Sequence, residues 1–245
     1  MASLYFDEAL ERDAVAVGAR LTLGGDEARH AAAVARVRVG ERIAVGDGAG
    51  FVAVGVVLAA DPKRVELEVQ EVRVDPEPVP PLALVQALAK GGRDELAVQM
   101  ATELGVSVVV PWQAERSVSR WDAGKAAKGR ERWQQIVREA SKQAIRSRIP
   151  VVEQLATGDA LAASAGDAQL LVLDPTADTR LASVDLANDR PIHLVVGPEG
   201  GISPRELAAL EDAGAQRVRL GTEVLRTSTA GAAALAVLNA RLGRW

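Results

Sequence analysis

The sequence predicts two joined domains, a small β-barrel followed by an α/β domain built on a parallel sheet. Three observations carry that reading. The segment Asp75-Pro76-Glu77-Pro78-Val79-Pro80-Pro81 holds four of the eleven prolines. Such a run neither extends a helix nor sits centrally in a sheet, so residues 75–81 read as a stiff linker. Residues 1–74 hold several short Val-rich strand patterns and one helical pattern, whereas residues 82–245 alternate apolar runs with helical periodicity. That alternation marks an α/β domain.

In the first part, residues 20–23 alternate, and residues 42–45 do so up to Asp47-Gly48, a hairpin signal. Residues 51–58 and 64–74 continue the pattern, with one short helix expected over 26–37. The stretch Gly46-Asp47-Gly48-Ala49-Gly50 lies between two strands. It therefore reads as a turn and not as a dinucleotide fingerprint, which needs a strand and then a helix. In the second part, apolar runs at 82–88, 106–110, 170–173, 192–196 and 218–220 read as buried parallel strands. Helical patterns occupy 94–104, 123–145, 204–213 and 229–242, and Gly105 stops the first of them.

Composition limits the chemistry. The 245 residues suffice for one large or two modest domains at roughly 150 residues each. There are no cysteines and two histidines, His30 and His193, so disulfides, thiolate nucleophiles and zinc sites with sulfur ligands are excluded and no metal is expected. No run of about 18 uncharged apolar residues appears, so no membrane helix is expected. The stretch from Met1 to Glu8 has neither a basic nor an apolar leader region, and the chain reads as cytoplasmic. The net charge is −4, yet residues 115–148 carry 10 Lys/Arg against 4 Asp/Glu, with Trp121 and Trp133 among them. Cations beside aromatics suit a phosphate backbone and unstacked bases; a solvated helix face is the plainer alternative.

Three motifs stand out. In Val195-Val196-Gly197-Pro198-Glu199-Gly200-Gly201-Ile202-Ser203-Pro204-Arg205-Glu206, a buried strand enters a glycine turn and then a helix. Ser203 as N-cap, Pro204 as first helical residue and Glu206 form a capping box. Open α/β sheets bind ligands at such strand ends; the alternative is a plain tight turn. In Leu220-Gly221-Thr222-Glu223-Val224-Leu225-Arg226-Thr227-Ser228-Thr229-Ala230, Arg226 precedes a helix start, where the macrodipole disfavours a cation. It could hold a carboxylate, phosphate or substrate oxygen, or be an ordinary surface arginine. Glu139, Gln143 and Arg146 are spaced i, i+4 and i+7, which places them on one helix face. That stripe could face RNA, a partner or solvent.

These motifs, with Lys90-Gly91-Gly92-Arg93, Thr102-Glu103-Leu104-Gly105 and Glu115-Arg116-Ser117, occur in one order along the chain. Together they resemble the bacterial 16S rRNA (uracil-1498-N3)-methyltransferase family of the SPOUT, or α/β-knot, superfamily. His30-Ala31-Ala32-Ala33-Val34-Ala35-Arg36 followed by Gly40-Glu41 resembles that family's barrel motif. The resemblance implies an N-terminal PUA-like β-barrel (residues 1–74) and a C-terminal α/β trefoil-knot methyltransferase domain (residues 82–245). It implies S-adenosylmethionine as cofactor, held by Leu173, Pro175, Gly197, Pro198, Gly200, Gly201, Ile202, Leu220, Gly221, Val224 and Leu225. It further implies a homodimer through the knot domain, which the Ala-rich helix after Thr229 suits. It also implies 16S rRNA within the small ribosomal subunit as the partner.

Uracil N3 is mostly protonated at neutral pH, so Arg226 is the candidate for holding the uracil oxygens or the imidate charge, and Glu199 or a water the candidate for removing the proton. The basic segment and the motifs nominate His30, Arg36, Lys90, Arg93, Arg116, Arg120, Gln143, Arg146 and Arg148 as RNA-facing. His193, within an apolar strand, reads as a satisfied core histidine. The chain departs from the family pattern at Thr222, Glu223 and Ser228, where Pro, Arg and Glu are usual. The missing carboxylate at Ser228 leaves no general base to assign there. Two other readings remain: a SPOUT enzyme for another RNA site or a ribose 2′-hydroxyl, and a non-catalytic RNA-binding assembly factor.

Overall fold

The computed structural model describes residues 2–245. The chain divides into two compact units. One contains the chain up to Glu77 together with Ser141–Ile149, and the other Pro78–Ala140 with Pro150–Trp245.

In the first unit β1 (Ser3–Phe6), β2 (Arg20–Gly24), α1 (Gly25–Arg29), β3 (Arg42–Gly46), β4 (Phe51–Asp61) and β5 (Arg64–Val74) follow in chain order. The five strands form one sheet in the order β1-β3-β4-β5-β2, with only β1 and β3 parallel. The β3–β4 hairpin turns where Asp47-Gly48 predicts it. There the Asp47 Oδ1 accepts the amides of Ala49 and Phe51 at 2.7 and 3.1 Å, the side-chain closure that favours Asp in turns. The expected helix is shorter than its pattern: α1 passes into one π turn (His30–Val34) and ends before Arg36, whose φ is 56°.

Strand alternation gives this sheet two apolar faces. Tyr5, Val45, Ala53 and Leu67 belong to one core, while Leu4, Phe6, Val52 and Val54 belong to another. Ile145 and Ile149 pack against the second face. The Gly50 amide donates to the Ser147 carbonyl at 3.1 Å, and the Ile149 amide to Gly48 at 2.9 Å. This corrects two expectations. Residues 141–149 belong with the sheet and not with the α/β part, because they cover apolar surface that β1 and β4 would otherwise expose. The helix expected to reach residue 145 stops at Gln143, and Ile145 takes φ 54°.

The second unit contains β6 (Leu82–Ala87), α2 (Arg93–Glu103), β7 (Val108–Trp112), α3 (Ala123–Gln143, whose last three residues lie in the first unit), β8 (Val151–Val152), α4 (Gly158–Ala163), β9 (Gln169–Leu173), β10 (Ile192–Val196), α5 (Pro204–Asp212), β11 (Gln216–Val218) and α6 (Thr227–Arg241). Six parallel strands run in the order β11-β9-β10-β6-β7-β8. The connection from β10 through α5 to β11 therefore passes over β9, and the carboxyl ends of β9, β10 and β11 emerge side by side. β11 ends two residues before its apolar pattern does. Arg219 leaves β9 and pairs instead with the loop at Thr179 and Leu181, at 2.9 and 2.8 Å.

Helix α6 lies close on the sheet: a Cβ at Gly231 would stand 2.8 Å from Leu84 Cδ1. Its small residues Gly231, Ala232 and Ala234 are buried within this chain. The Ala-rich pattern thus has an intrachain cause in packing α6 on the sheet. Asn239 Nδ2 donates to the Leu104 carbonyl at 2.7 Å and so satisfies the end of α2. Among the described residues, no helix is long and apolar enough to cross a membrane.

Candidate active site

The loops that leave β9, β10 and β11 enclose a cleft of about 610 Å³. It lies beyond the carboxyl ends of adjacent parallel strands, where α/β sheets hold ligands. The first wall carries Leu173 and Pro175, the second Gly197, Pro198, Gly201 and Ile202, the third Leu220, Gly221, Val224 and Leu225. Glu199 and Arg226 also line it. Gly200 does not share that wall. Its carbonyl accepts from Arg116 Nη1 at 3.2 Å, and a Cβ there would meet Arg116 Cβ at 3.2 Å. The expectation for Gly200 is corrected accordingly: the residue faces the Arg116 loop.

Local sequence fixes these loops through a few buried polar groups. The capping box forms as the sequence implies, with Ser203 and Glu206 exchanging amide bonds at 3.1 Å each way. The other Glu206 oxygen accepts the Glu115 amide at 2.8 Å, tying the Arg116 loop to the same helix start. Thr227 Oγ1 donates to the Gly197 carbonyl at 2.8 Å and accepts from Gln86 Nε2 at 2.8 Å. One hydroxyl thus joins the ends of β10 and β6 to the first turn of α6. Gln86 was not singled out from sequence. A lone polar residue inside the apolar run 82–88 was the available signal.

The charged groups fall into two kinds. Asp174 accepts from the Thr176 amide and hydroxyl at 2.8 Å and from Arg217 Nε at 2.9 Å. Burial pushes its carboxyl up, but Thr176 and the Arg217 guanidinium outweigh that and hold it below the ordinary carboxylate range. Glu199 is likewise engaged: its Oε1 accepts the Lys90 amide at 3.2 Å and Arg93 Nη1 at 3.1 Å. Burial again opposes, while backbone amides and Arg93 lower its carboxyl. A free, proton-hungry base is therefore not what the structure places at Glu199. Arg226 is the other kind. It is exposed, its backbone caps α6, and its side chain makes no hydrogen bond or ion pair among the described residues. Neither Glu199 nor Glu223 braces it.

The nominated RNA-facing residues scatter. Lys90, Arg116, Arg120, Gln143 and Arg36 are exposed, and Arg93 is half-buried against Glu199. Arg148 is structural, donating to the Asp75 carbonyl at 2.9 and 3.2 Å. Arg146 lies beyond the end of α3 at Gln143, and burial lowers its guanidinium to about 10, so the helical spacing that predicted the stripe does not extend to it. His30 is half-buried, with Nδ1 3.3 Å from Lys142 Nζ and its ring edge-on to Tyr5. The Lys142 ammonium pairs with Glu27 at 3.0 Å in a nearly dry setting. Several charges of the basic segment therefore hold the first unit together. His193 also departs from expectation: its Nδ1 is buried with no partner among the described residues, and burial pushes the imidazole pKa down. No group of three His, Cys, Asp or Glu that could hold a metal occurs among the described residues.

A family model described as an RNA methyltransferase domain matches residues 75–239, and one described as an RNA methyltransferase PUA domain matches residues 23–70. Ribosomal RNA small subunit methyltransferase E of Mycobacterium bovis is 43% identical over 246 aligned residues, covering 98% of this chain and 92% of that protein. This chain belongs to the ribosomal RNA small subunit methyltransferase E family. The Bacillus subtilis member is 28% identical, with 96% and 95% covered. A crystal structure of the Neisseria gonorrhoeae member bound to S-adenosylmethionine matches with TM-score 0.86 and 29% identity over 98% of both chains. A Legionella pneumophila methyltransferase with the same bound cofactor matches with TM-score 0.86 and 28% identity, again over 98% of both. The PUA domain and the RNA methyltransferase domain are the two domains that the motifs implied.

The cleft of this family member fits such a cofactor by a criterion internal to the chain. Gly197 is required by packing, since a Cβ would stand 2.7 Å from Ile202 Cγ1. Gly221 is not: a Cβ there meets only Glu223 Oε2, at 3.4 Å, and its φ is not left-handed. A glycine with no intrachain reason, on the wall of a cleft, leaves space for a ligand to touch the backbone.

Proposed function

We propose that this chain is an S-adenosylmethionine-dependent methyltransferase that modifies N3 of one uridine in 16S rRNA of the small ribosomal subunit. It works in the cytoplasm as a homodimer through the α/β unit. Family membership supports the reaction class. Val224 and Leu225, 78% and 38% exposed at the lip of the cleft, support a partner that covers apolar surface there. Leu173, Pro175, Gly197, Pro198, Gly201, Ile202, Leu220, Gly221, Val224 and Leu225 would hold the cofactor. When bound, S-adenosylmethionine supplies an electrophilic methyl group on a sulfonium.

The protein's own work is then placement and charge. Arg226 holds the uracil oxygens as negative charge develops on the imide, a fixed cation at the point of need. Its backbone is pinned at the head of α6 by the Thr227 bonds, so the guanidinium starts from a defined anchor. Glu199 acts as a positioning residue that sets Arg93 and the turn at Lys90, and the N3 proton passes to water. The observation that carries the reading is the unpartnered, exposed Arg226 on the cleft wall. Single-turnover methyl transfer to small subunits tests it. Arg226→Ala should lose about a hundredfold in rate, equivalent to roughly 3 kcal/mol. Lysine should rescue poorly because it offers no planar fork. A wild-type rate for Arg226→Ala at saturating cofactor and RNA would remove Arg226 from the mechanism.

A further inference from the structure

We propose that a second cavity of the α/β unit seats an unstacked nucleobase neighbouring the methylated uridine, with the Trp121 indole as its stacking platform. This rests on the rRNA methyltransferase reading above. The cavity measures about 420 Å³ and lies where the chain leaves β6 and β7, against α3. That volume falls in the range of about 300–1,000 Å³ typical of small-molecule sites.

Its aromatic wall is built, not incidental. Trp133 is fully buried and Trp121 is half-buried, the two rings meeting edge to face with centroids 5.3 Å apart. The Trp121 ring system also rests on α3 at Gly129, where a Cβ would stand 2.4 Å from Cε2. Glycine weakens a helix interior, and here it admits the indole onto the helix backbone. The Trp121 amide donates to Gln113 Oε1 at 3.0 Å, fixing the root of the side chain. An indole fixed by Trp133, by Gly129 and at its own amide, yet half-buried and on the cavity lining, is a prearranged surface for a base, and stacking on it tolerates any base.

The charges say which part of a nucleotide enters. Asp94 and Glu95 both line the cavity, so an anionic phosphate is disfavoured inside. Asp94 accepts the Ala89 and Glu95 amides at 3.1 and 2.9 Å, and each carboxylate oxygen keeps a second acceptor site for a base N–H. The cations stand beside them. Lys90 is exposed, and Arg132 reaches Glu95 at 3.1 Å, within range of a backbone phosphate outside. The turn from Lys90 to Arg93 is the wall shared with the first cleft: Lys90 lines the second cavity, Arg93 lines the first, and both bind Glu199. Three residues span at most about 11 Å, so one short stretch of RNA can occupy both sites.

The test uses the full chain and the shortest synthetic small-subunit rRNA fragment that the wild type methylates, with abasic substitutions on either side of the target. Trp121→Ala should weaken fragment affinity about five- to hundredfold and leave S-adenosylmethionine affinity unchanged, while Trp121→Phe keeps most of the affinity. Gly129→Ala, which favours the helix but unseats the ring, should also weaken RNA binding, so the result does not depend on one truncation folding. One abasic position should weaken wild-type binding yet cost Trp121→Ala nothing further. If Trp121→Ala and Gly129→Ala bind as the wild type does, or no abasic penalty disappears in the variant, the assignment is overturned. If the wild type methylates no small-subunit rRNA, the underlying reading falls, and this one with it.

Discussion

Gly197 and Gly221 lie on the same cleft, and the contrast between them separates a ligand-binding wall from a merely well-packed loop. A side chain at Gly197 collides within the protein, 2.7 Å from Ile202 Cγ1 and 3.3 Å from the Ile202 amide. Gly197→Ala should therefore cost stability, about 1–3 kcal/mol as for other overpacking changes, and should disturb the cofactor loop as a consequence. A side chain at Gly221 meets only Glu223 Oε2, at 3.4 Å, an ordinary contact. Gly221→Ala should leave the unfolding free energy of the free protein within about 0.5 kcal/mol of wild type. Its cost should appear only when the cofactor is present, because the methyl group takes space needed for backbone approach. A loss of about 1.4 kcal/mol, or tenfold in Kd, is the expected scale, with Gly221→Val worse. Calorimetric titration of S-adenosylmethionine, paired with urea denaturation without it, reads both quantities. Unchanged affinity in a folded Gly221→Val variant would refute the placement of the cofactor against the third loop.

Other outcomes follow from the same structure. Arg148→Ala removes two bonds to the partly buried Asp75 carbonyl and should lower the stability of the first unit by about 1–3 kcal/mol, while the slope of log RNA affinity against log salt stays as in wild type. The lowered imidazole pKa of His193 makes the folded state less stable as pH falls below about 6.5, since the unfolded chain takes up the proton first. Urea denaturation at pH 7.5 and 5.5 should show this loss, at most about 1.4 kcal/mol per pH unit, and His193→Gln should reduce it. Glu199→Gln should raise KM for RNA severalfold while the pH dependence of single-turnover transfer keeps its shape; loss of the acidic limb would restore Glu199 as the base.

Much of this was legible in the sequence because local rules and tertiary packing agree. The capping box at Ser203, the Asp47 hairpin and the apolar parallel strands each have a local signature that the packed structure keeps. The loops that line the cleft were legible because glycines sit where strands end. What escaped depends on contacts distant in sequence. Nothing near Ile145 or Ile149 signals that they cover the face formed by Leu4, Phe6 and Val52. The positive charges of Arg146 and Arg148 look RNA-facing by spacing, yet both are drawn into the first unit. The short strand at Val151–Val152 and the six-residue α4 lack the length for a periodic signal. Glu199 reads as a free carboxylate until Arg93, 106 residues away, is placed beside it.

The most direct test is to incubate the purified chain with S-adenosylmethionine and small ribosomal subunits from cells lacking it, then map the added methyl groups by nucleoside digestion and mass spectrometry. One methyl group per subunit, on N3 of a single uridine in 16S rRNA, is the predicted result. A methyl group on a ribose 2′-oxygen, or none at all despite cofactor binding, would contradict it.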